Sequence, residues 1–106
     1  MVQKESVGVL EQFKIKLAKK LSIQKIVLFG SRAKDTSHDE SDFDVLVVSK
    51  DFEGVPWHLR SKNAYPEWQD PRPLELLCFT PAEITQRLKS PVKGIIAEAL
   101  ENGITL

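Results

Sequence analysis

The chain is short of cysteine, of net charge and of long apolar runs, and each shortage excludes something. A single thiol, Cys78, makes no internal disulfide, so a reducing, cytoplasmic setting is expected. Its apolar neighbours read as the surroundings of a small buried hydrophobe. Lys plus Arg number 15 and Asp plus Glu number 15, for a formal net charge of zero. A general polynucleotide binder would need a cationic excess to neutralise phosphates. A small anionic ligand at one local site is still allowed, and a chain near neutrality is prone to associate. No apolar run approaches the length of a membrane span. The opening M-V-Q-K-E-S-V-G-V-L has no long apolar region of the signal-peptide kind. No repeat, linker or low-complexity segment interrupts the 106 residues, so residues 1–106 are expected to form one domain with a modest core.

What is present is an alternation of helical and strand patterns. Most of the apolar set Val7, Leu10, Phe13, Ile15, Leu17 and Leu21 follows one helical stripe and predicts a helix over about 3–21. Ile26-Val27-Leu28-Phe29 is short, apolar and stopped by Gly30, which predicts a buried strand. A polar stretch follows, its start able to make one helical turn. Phe43 through Val48 predicts a second buried strand and Leu74 through Phe79 a third. Thr80-Pro81-Ala82-Glu83 has the cap, the proline and the glutamate of a helix start, running to about Lys89. A last helix is expected from Pro91, with Ile95, Ile96, Ala99 and Leu100 on one face, ended by Asn102-Gly103 and followed by a short strand. The pattern predicts an α/β (α+β) domain, a small mixed sheet flanked by helices.

Residues 52–72 carry both tryptophans, the only tyrosine and a cluster of prolines. A short helix is expected near Trp57 to Ala64, within an ordered loop that has its own aromatic packing. Trp57, Tyr65 and Trp68 either pack that loop onto the domain, stack on a base or form a contact surface. Arg60 and Lys62 read as a solvated face, with a phosphate contact as the alternative. His38 is expected to be exposed, and His58 carries no partner signal.

The chemistry concentrates between Gly30 and Glu75. Side chains alternate along a strand, so Asp42 and Asp44 point the same way, about 6–7 Å apart, while Phe43 points into the core. Two like charges there raise one another's pKa, and a divalent cation relieves them. Oxygen-only ligands favour Mg²⁺, with Mn²⁺ the alternative. Gly30 lets backbone N–H groups approach a phosphate, Ser31 adds a hydroxyl donor, and Arg32 and Lys34 add positive charge. A phosphate holder beside a metal holder implies nucleoside triphosphate chemistry. Glu75, the one charged residue in L-E-L-L-C-F, is costly if buried unpaired. If its strand lies beside the second, it joins Asp42 and Asp44 around two cations spaced for in-line phosphoryl transfer. Read singly, each signal is weak: D-x-D is commonly a solvated turn, Gly-Ser commonly just a turn, and Glu75 could face water at a strand edge.

Together, G-S-R-A-K-x7-D-F-D-V resembles the signature of the nucleotidyltransferases of the DNA polymerase β superfamily. The small size resembles the minimal nucleotidyltransferases, the antitoxin half of HEPN/MNT pairs. The resemblance covers Ile26 to Val48 and extends more weakly over Pro73 to Thr80 and the E-A-L-E-N-G-I-T-L ending. It implies a polymerase β-like fold in which Gly30, Ser31 and Arg32 bind the nucleotide and Asp42, Asp44 and Glu75 bind two Mg²⁺. Glu75 would also deprotonate or orient the attacking hydroxyl. The implied reaction moves NMP, AMP from ATP by preference, onto a hydroxyl and releases pyrophosphate. Larger relatives carry a further helical domain that grips base and acceptor, and only 31 residues follow Glu75 here. A second chain, an identical copy or a helical HEPN-type partner, is therefore expected to complete the acceptor site. The resemblance leaves two other readings: a non-catalytic antitoxin that acts by contact, and a transferase for a small molecule of the aminoglycoside type.

Overall fold

Phe43, Val45 and Val47 are fully buried on one face of their strand, while Leu46 and Val48 are buried on the other. A strand apolar on both faces has to be covered twice, and that requirement organises the molecule. The computed structural model describes residues 4–30, 42–90 and 94–106, with the side chains of Lys4 and Glu5 left aside. Among them, the elements in chain order are α1 (Lys4–Leu17), β1 (Lys25–Phe29), β2 (Phe43–Val48), α2 (Trp57–Ala64), β3 (Leu74–Phe79), α3 (Pro81–Leu88), α4 (Ile95–Asn102) and β4 (Ile104–Thr105). One sheet has the order β3-β2-β1-β4. β1 pairs antiparallel with β2 and with β4, whereas β2 and β3 run parallel. A parallel pair needs a crossover, and residues 49–73 with α2 supply it.

One face of the sheet presents Ile26, Leu28, Phe43, Val45 and Val47 to Leu10, Phe13 and Leu17 of α1. Fully burying each such side chain contributes about 1.5–3 kcal/mol before entropy is counted. The other face presents Val27, Leu46, Val48 and Phe79 to Ile96 and Ala99 of α4, with Ile84 of α3 alongside. Helix α3 begins as expected: the Thr80 hydroxyl accepts from the Glu83 N–H at 3.2 Å, and the Glu83 carboxylate accepts from the Thr80 N–H at 2.8 Å. No helix among the described residues is long and apolar enough to cross a membrane.

Four details differ from the sequence reading. Helix α1 stops at Leu17 and the chain turns, so Leu21 packs on the core from beyond the helix. In α4, Ile95 is 56% exposed and Ala97 takes a buried place instead, because the buried stripe is Ile96, Ala97 and Ala99. Helix α4 starts at Ile95, after an extended Gly94, rather than from Pro91; it ends as expected at Asn102-Gly103, with Gly103 in extended backbone (φ −79°). Its requirement is space: a Cβ there would stand 2.8 Å from the Leu28 carbonyl oxygen and overlap the Ala99 carbonyl and a Val27 methyl. That close approach clamps the end of α4 onto β1. Finally, Arg60 is buried, 7% exposed, rather than solvated. Its guanidinium donates to the Val55 and Cys78 carbonyls and bidentately to Glu83. Lys62 is exposed, as is His58.

Of the three aromatics singled out in the sequence, Trp68 packs inward, while Trp57 and Tyr65 stay exposed. Trp68 meets Phe13 and Phe43 edge-on and donates its indole N–H to the Arg72 carbonyl at 2.9 Å. Tyr65 donates its hydroxyl to the Leu74 carbonyl. Trp57, half exposed, lies against Phe79 and under the Arg60 guanidinium.

Candidate active site

The pleat that buries Phe43 turns Asp44 to the α4 face of the sheet, and the same alternation puts Glu75 and Phe29 there. Register then lines them up: Phe29 is the partner of Asp44 in the antiparallel pair, and Asp44 is the partner of Glu75 in the parallel pair. One row across three adjacent strands thus reads Phe29, Asp44, Glu75. Asp42, one residue before β2, is exposed at the same end. These two positions, 31 apart in sequence, become register partners because β3 lies beside β2, the condition on which the sequence reading of Glu75 depended.

Asp44 is partly buried. Burial pushes its carboxyl above the ordinary value, the charge of Glu75 pushes it further, and that of Asp42 adds to both. Three acids are thus held where they repel, on oxygen donors alone. Asp42, Asp44 and Glu75 are the side chains that could hold a hard cation such as Mg²⁺ or Mn²⁺, and their donor chemistry fits one. Among the described residues no three His, Cys, Asp or Glu side chains are gathered tightly enough to grip an ion as they stand. Side-chain rotation about χ1 and χ2 would have to bring these carboxylates together.

Gly30 ends β1 at φ +74°, a conformation that side chains disfavour. It also abuts the acid. A Cβ at this position would stand 3.1 Å from the Asp44 Cγ and closer still to Oδ2. Glycine is therefore required twice, for the turn and for room beside Asp44. Ser31, Arg32, Lys34 and His38 lie outside the described residues, as does Pro91.

Two hollows open on this row. One, of about 200 Å³, is lined by Phe29, Gly30, Asp44, Ile95, Glu98, Asn102 and Gly103. The other, of about 370 Å³, runs along β3 between Tyr65 and Ile95, over Glu75, Leu76 and Leu77. Phe29, Asp44 and Ile95 belong to both, so Asp44 sits where they join. The sequence reading did not include Glu98 or Asn102 as site residues. Their signal was there: residues 95, 98 and 102 fall on one helical stripe, opposite the apolar one.

Comparison with known proteins adds the following. The family model described as "Nucleotidyltransferase domain" matches residues 10–104. No curated protein matches the chain. Among solved structures, the chain is similar to a Sulfolobus solfataricus protein provisionally named a nucleotidyltransferase (TM-score 0.62, 19% identity, 74% of this chain and 70% of that one). It is also similar to BolA1 from Arabidopsis thaliana (TM-score 0.57, 26% identity, 71% of this chain and 94% of that one). The BolA domain of SufE1 from the same plant matches with a TM-score of 0.54 at 21% identity, over 78% of this chain and 99% of that one. These structural likenesses are of fold, whereas the sequence model spans nearly the whole chain and includes the Gly30, Asp42, Asp44 and Glu75 positions. A mixed four-stranded sheet covered by helices, with the acids on its open end, is the polymerase β-like arrangement, and the chain belongs to the nucleotidyltransferase domain family.

Proposed function

We propose that the protein is a Mg²⁺-dependent nucleotidyltransferase that moves NMP, AMP from ATP by preference, onto a hydroxyl of a partner protein of the helical HEPN type. The observation that carries the reading is the juxtaposition of Asp44 and Glu75 on adjacent parallel strands, with Gly30 pressed against Asp44. Family membership supports nucleotidyl transfer in general, and the resemblance to minimal nucleotidyltransferases supports the partner.

In this reading the Gly30 turn admits the triphosphate close to the backbone, and Ser31 and Arg32 hold it. Asp42, Asp44 and Glu75 hold Mg²⁺, which when bound neutralises phosphate charge and polarises the α-phosphate. The acceptor oxygen forms a bond to the α-phosphorus, the bond from that phosphorus to its bridging oxygen breaks, and pyrophosphate leaves. Glu75 orients the attacking hydroxyl and takes its proton. The protein's contribution is positioning in a site whose charges already face the reacting group.

The test incubates the protein with ATP, Mg²⁺ and a candidate helical partner, followed by mass spectrometry of the partner. A covalent AMP adduct on a hydroxyl-bearing side chain, lost with Asp42→Ala/Asp44→Ala, is expected. An adduct formed equally well by that variant would overturn the assignment.

A further inference from the structure

Residues 65–73, which join α2 to β3, close on the starts of the two strands that carry the acids. Tyr65 donates its hydroxyl to the Leu74 carbonyl at 2.8 Å, one residue before Glu75. The Pro73 carbonyl accepts from the Phe43 N–H at 2.9 Å, and Phe43 stands between Asp42 and Asp44. The fully buried Phe43 ring meets the Trp68 indole edge-on, with centroids 5.0 Å apart, and has the Arg72 guanidinium 5.1 Å from its centre. The segment is braced from within. Arg72 is paired with Asp70 through two bonds of 2.7 Å, the Trp68 indole donates to the Arg72 carbonyl, and the Trp68 backbone N–H donates to the Tyr65 carbonyl. It is seated on α1 by Trp68 against Phe13 and by Lys16 on Gln69.

These anchors fall where the acids need them. Strand ends fray first, and here the charges of Asp42, Asp44 and Glu75 repel across two of them. A cation site tolerates only about 0.5 Å of ligand displacement. The anchors act on Phe43 and Leu74, next to the acids in sequence, rather than on the carboxylates. Tyr65 also lines the hollow over Glu75 together with Asp44. The far end of β3 is held separately, by Arg60 on the Cys78 carbonyl.

We propose, resting on the nucleotidyltransferase reading, that residues 65–73 are a strap that sets metal affinity, with Tyr65 and Trp68 as positioning residues. Neither touches the cation. Tyr65 holds Glu75 in place through Leu74, and Trp68 holds Asp42 and Asp44 in place through Phe43.

The test reads Mn²⁺ binding to the whole chain, with ATP present, from the relaxation rate of water protons. Tyr65→Phe keeps the ring and loses one hydrogen bond, and Trp68→Phe keeps an aromatic edge and loses the indole N–H. Each should weaken Mn²⁺ binding about three- to tenfold and cost little thermal stability. Arg60→Ala, which costs the fold more, should leave Mn²⁺ affinity unchanged below its Tm. If Tyr65→Phe and Trp68→Phe bind Mn²⁺ as wild type does, or Arg60→Ala weakens binding as much as they do, the strap serves only the fold and the nucleotidyltransferase reading stands. If wild type takes up no Mn²⁺ with ATP, that reading falls and the role of the strap falls with it.

Discussion

Asp44 and Glu75 stand opposite each other across the parallel pair of β2 and β3, and the charge of Glu75 adds to burial in holding the Asp44 carboxyl above its ordinary value. The folded state therefore binds the Asp44 proton more tightly than the unfolded chain does. Stability from this group is complete below the ordinary aspartate range and is lost as pH rises through the raised folded value. Asp44→Asn removes that loss. In buffer without divalent cations its Tm is expected to exceed that of wild type at pH 7 and to converge with it as pH falls below the aspartate range. The same substitution should lower NMP transfer about a thousandfold or more. A Tm gap that persists unchanged into acid would contradict the electrostatic account.

Gly30 faces Asp44 so closely that the two positions should couple. Gly30→Ala adds a Cβ at φ +74° and against the carboxylate, and should cost about 1–2 kcal/mol in denaturant unfolding. Adding Asp44→Ala removes the oxygen that the Cβ overlaps, so the double variant should recover part of that cost. A double-mutant cycle with no coupling would show that the turn alone needs glycine.

Arg60 binds Glu83 and two backbone carbonyls while almost fully buried. Arg60→Ala strands the Cys78 and Val55 carbonyls and is expected to cost about 2–4 kcal/mol. Glu83 has the opposite pH sign to Asp44. Hydrogen bonding from Arg60 holds its carboxyl below the ordinary value, against a smaller effect of burial. Its stabilisation is present above the ordinary glutamate range and is lost as pH falls through the lowered value. Glu83→Gln should therefore lower Tm at pH 7 and differ little from wild type in acid.

Cys78 is buried between the two layers, and burial pushes its thiol up to about 12, against a smaller lowering by the Arg60 charge. A soluble maleimide at pH 7.5 should label the native chain no faster than it unfolds, and the denatured chain at once. Prompt labelling of native protein would show β3 to be more open than described.

Much of this was legible in local patterns. The alternation in Phe43–Val48 assigns both faces of β2, and Thr80 with Glu83 marks a helix start, because each signal acts over a few residues. Glu75 could be placed beside Asp44 as soon as β3 was placed beside β2. Arg60 could not be placed: its partners Cys78 and Glu83 are 18 and 23 residues away, and an arginine in a polar helix ordinarily faces water. Ile95 differs from the expectation because hydrophobicity alone does not rank neighbouring apolar positions of a short helix: Ile96 and Ala99 pack on the sheet, Ala97 is buried and Ile95 stays exposed. Glu98 and Asn102 went unnoticed because a polar stripe on a short helix is usually only a solvated face.

The most direct test of the central claim is a calorimetric titration of the purified chain with ATP, with and without Mg²⁺, beside Asp42→Ala/Asp44→Ala. Mg²⁺-dependent binding in wild type, absent from a variant of unchanged fold, is the predicted result. Binding of equal strength in the variant, or none in wild type at any Mg²⁺ concentration, would contradict it.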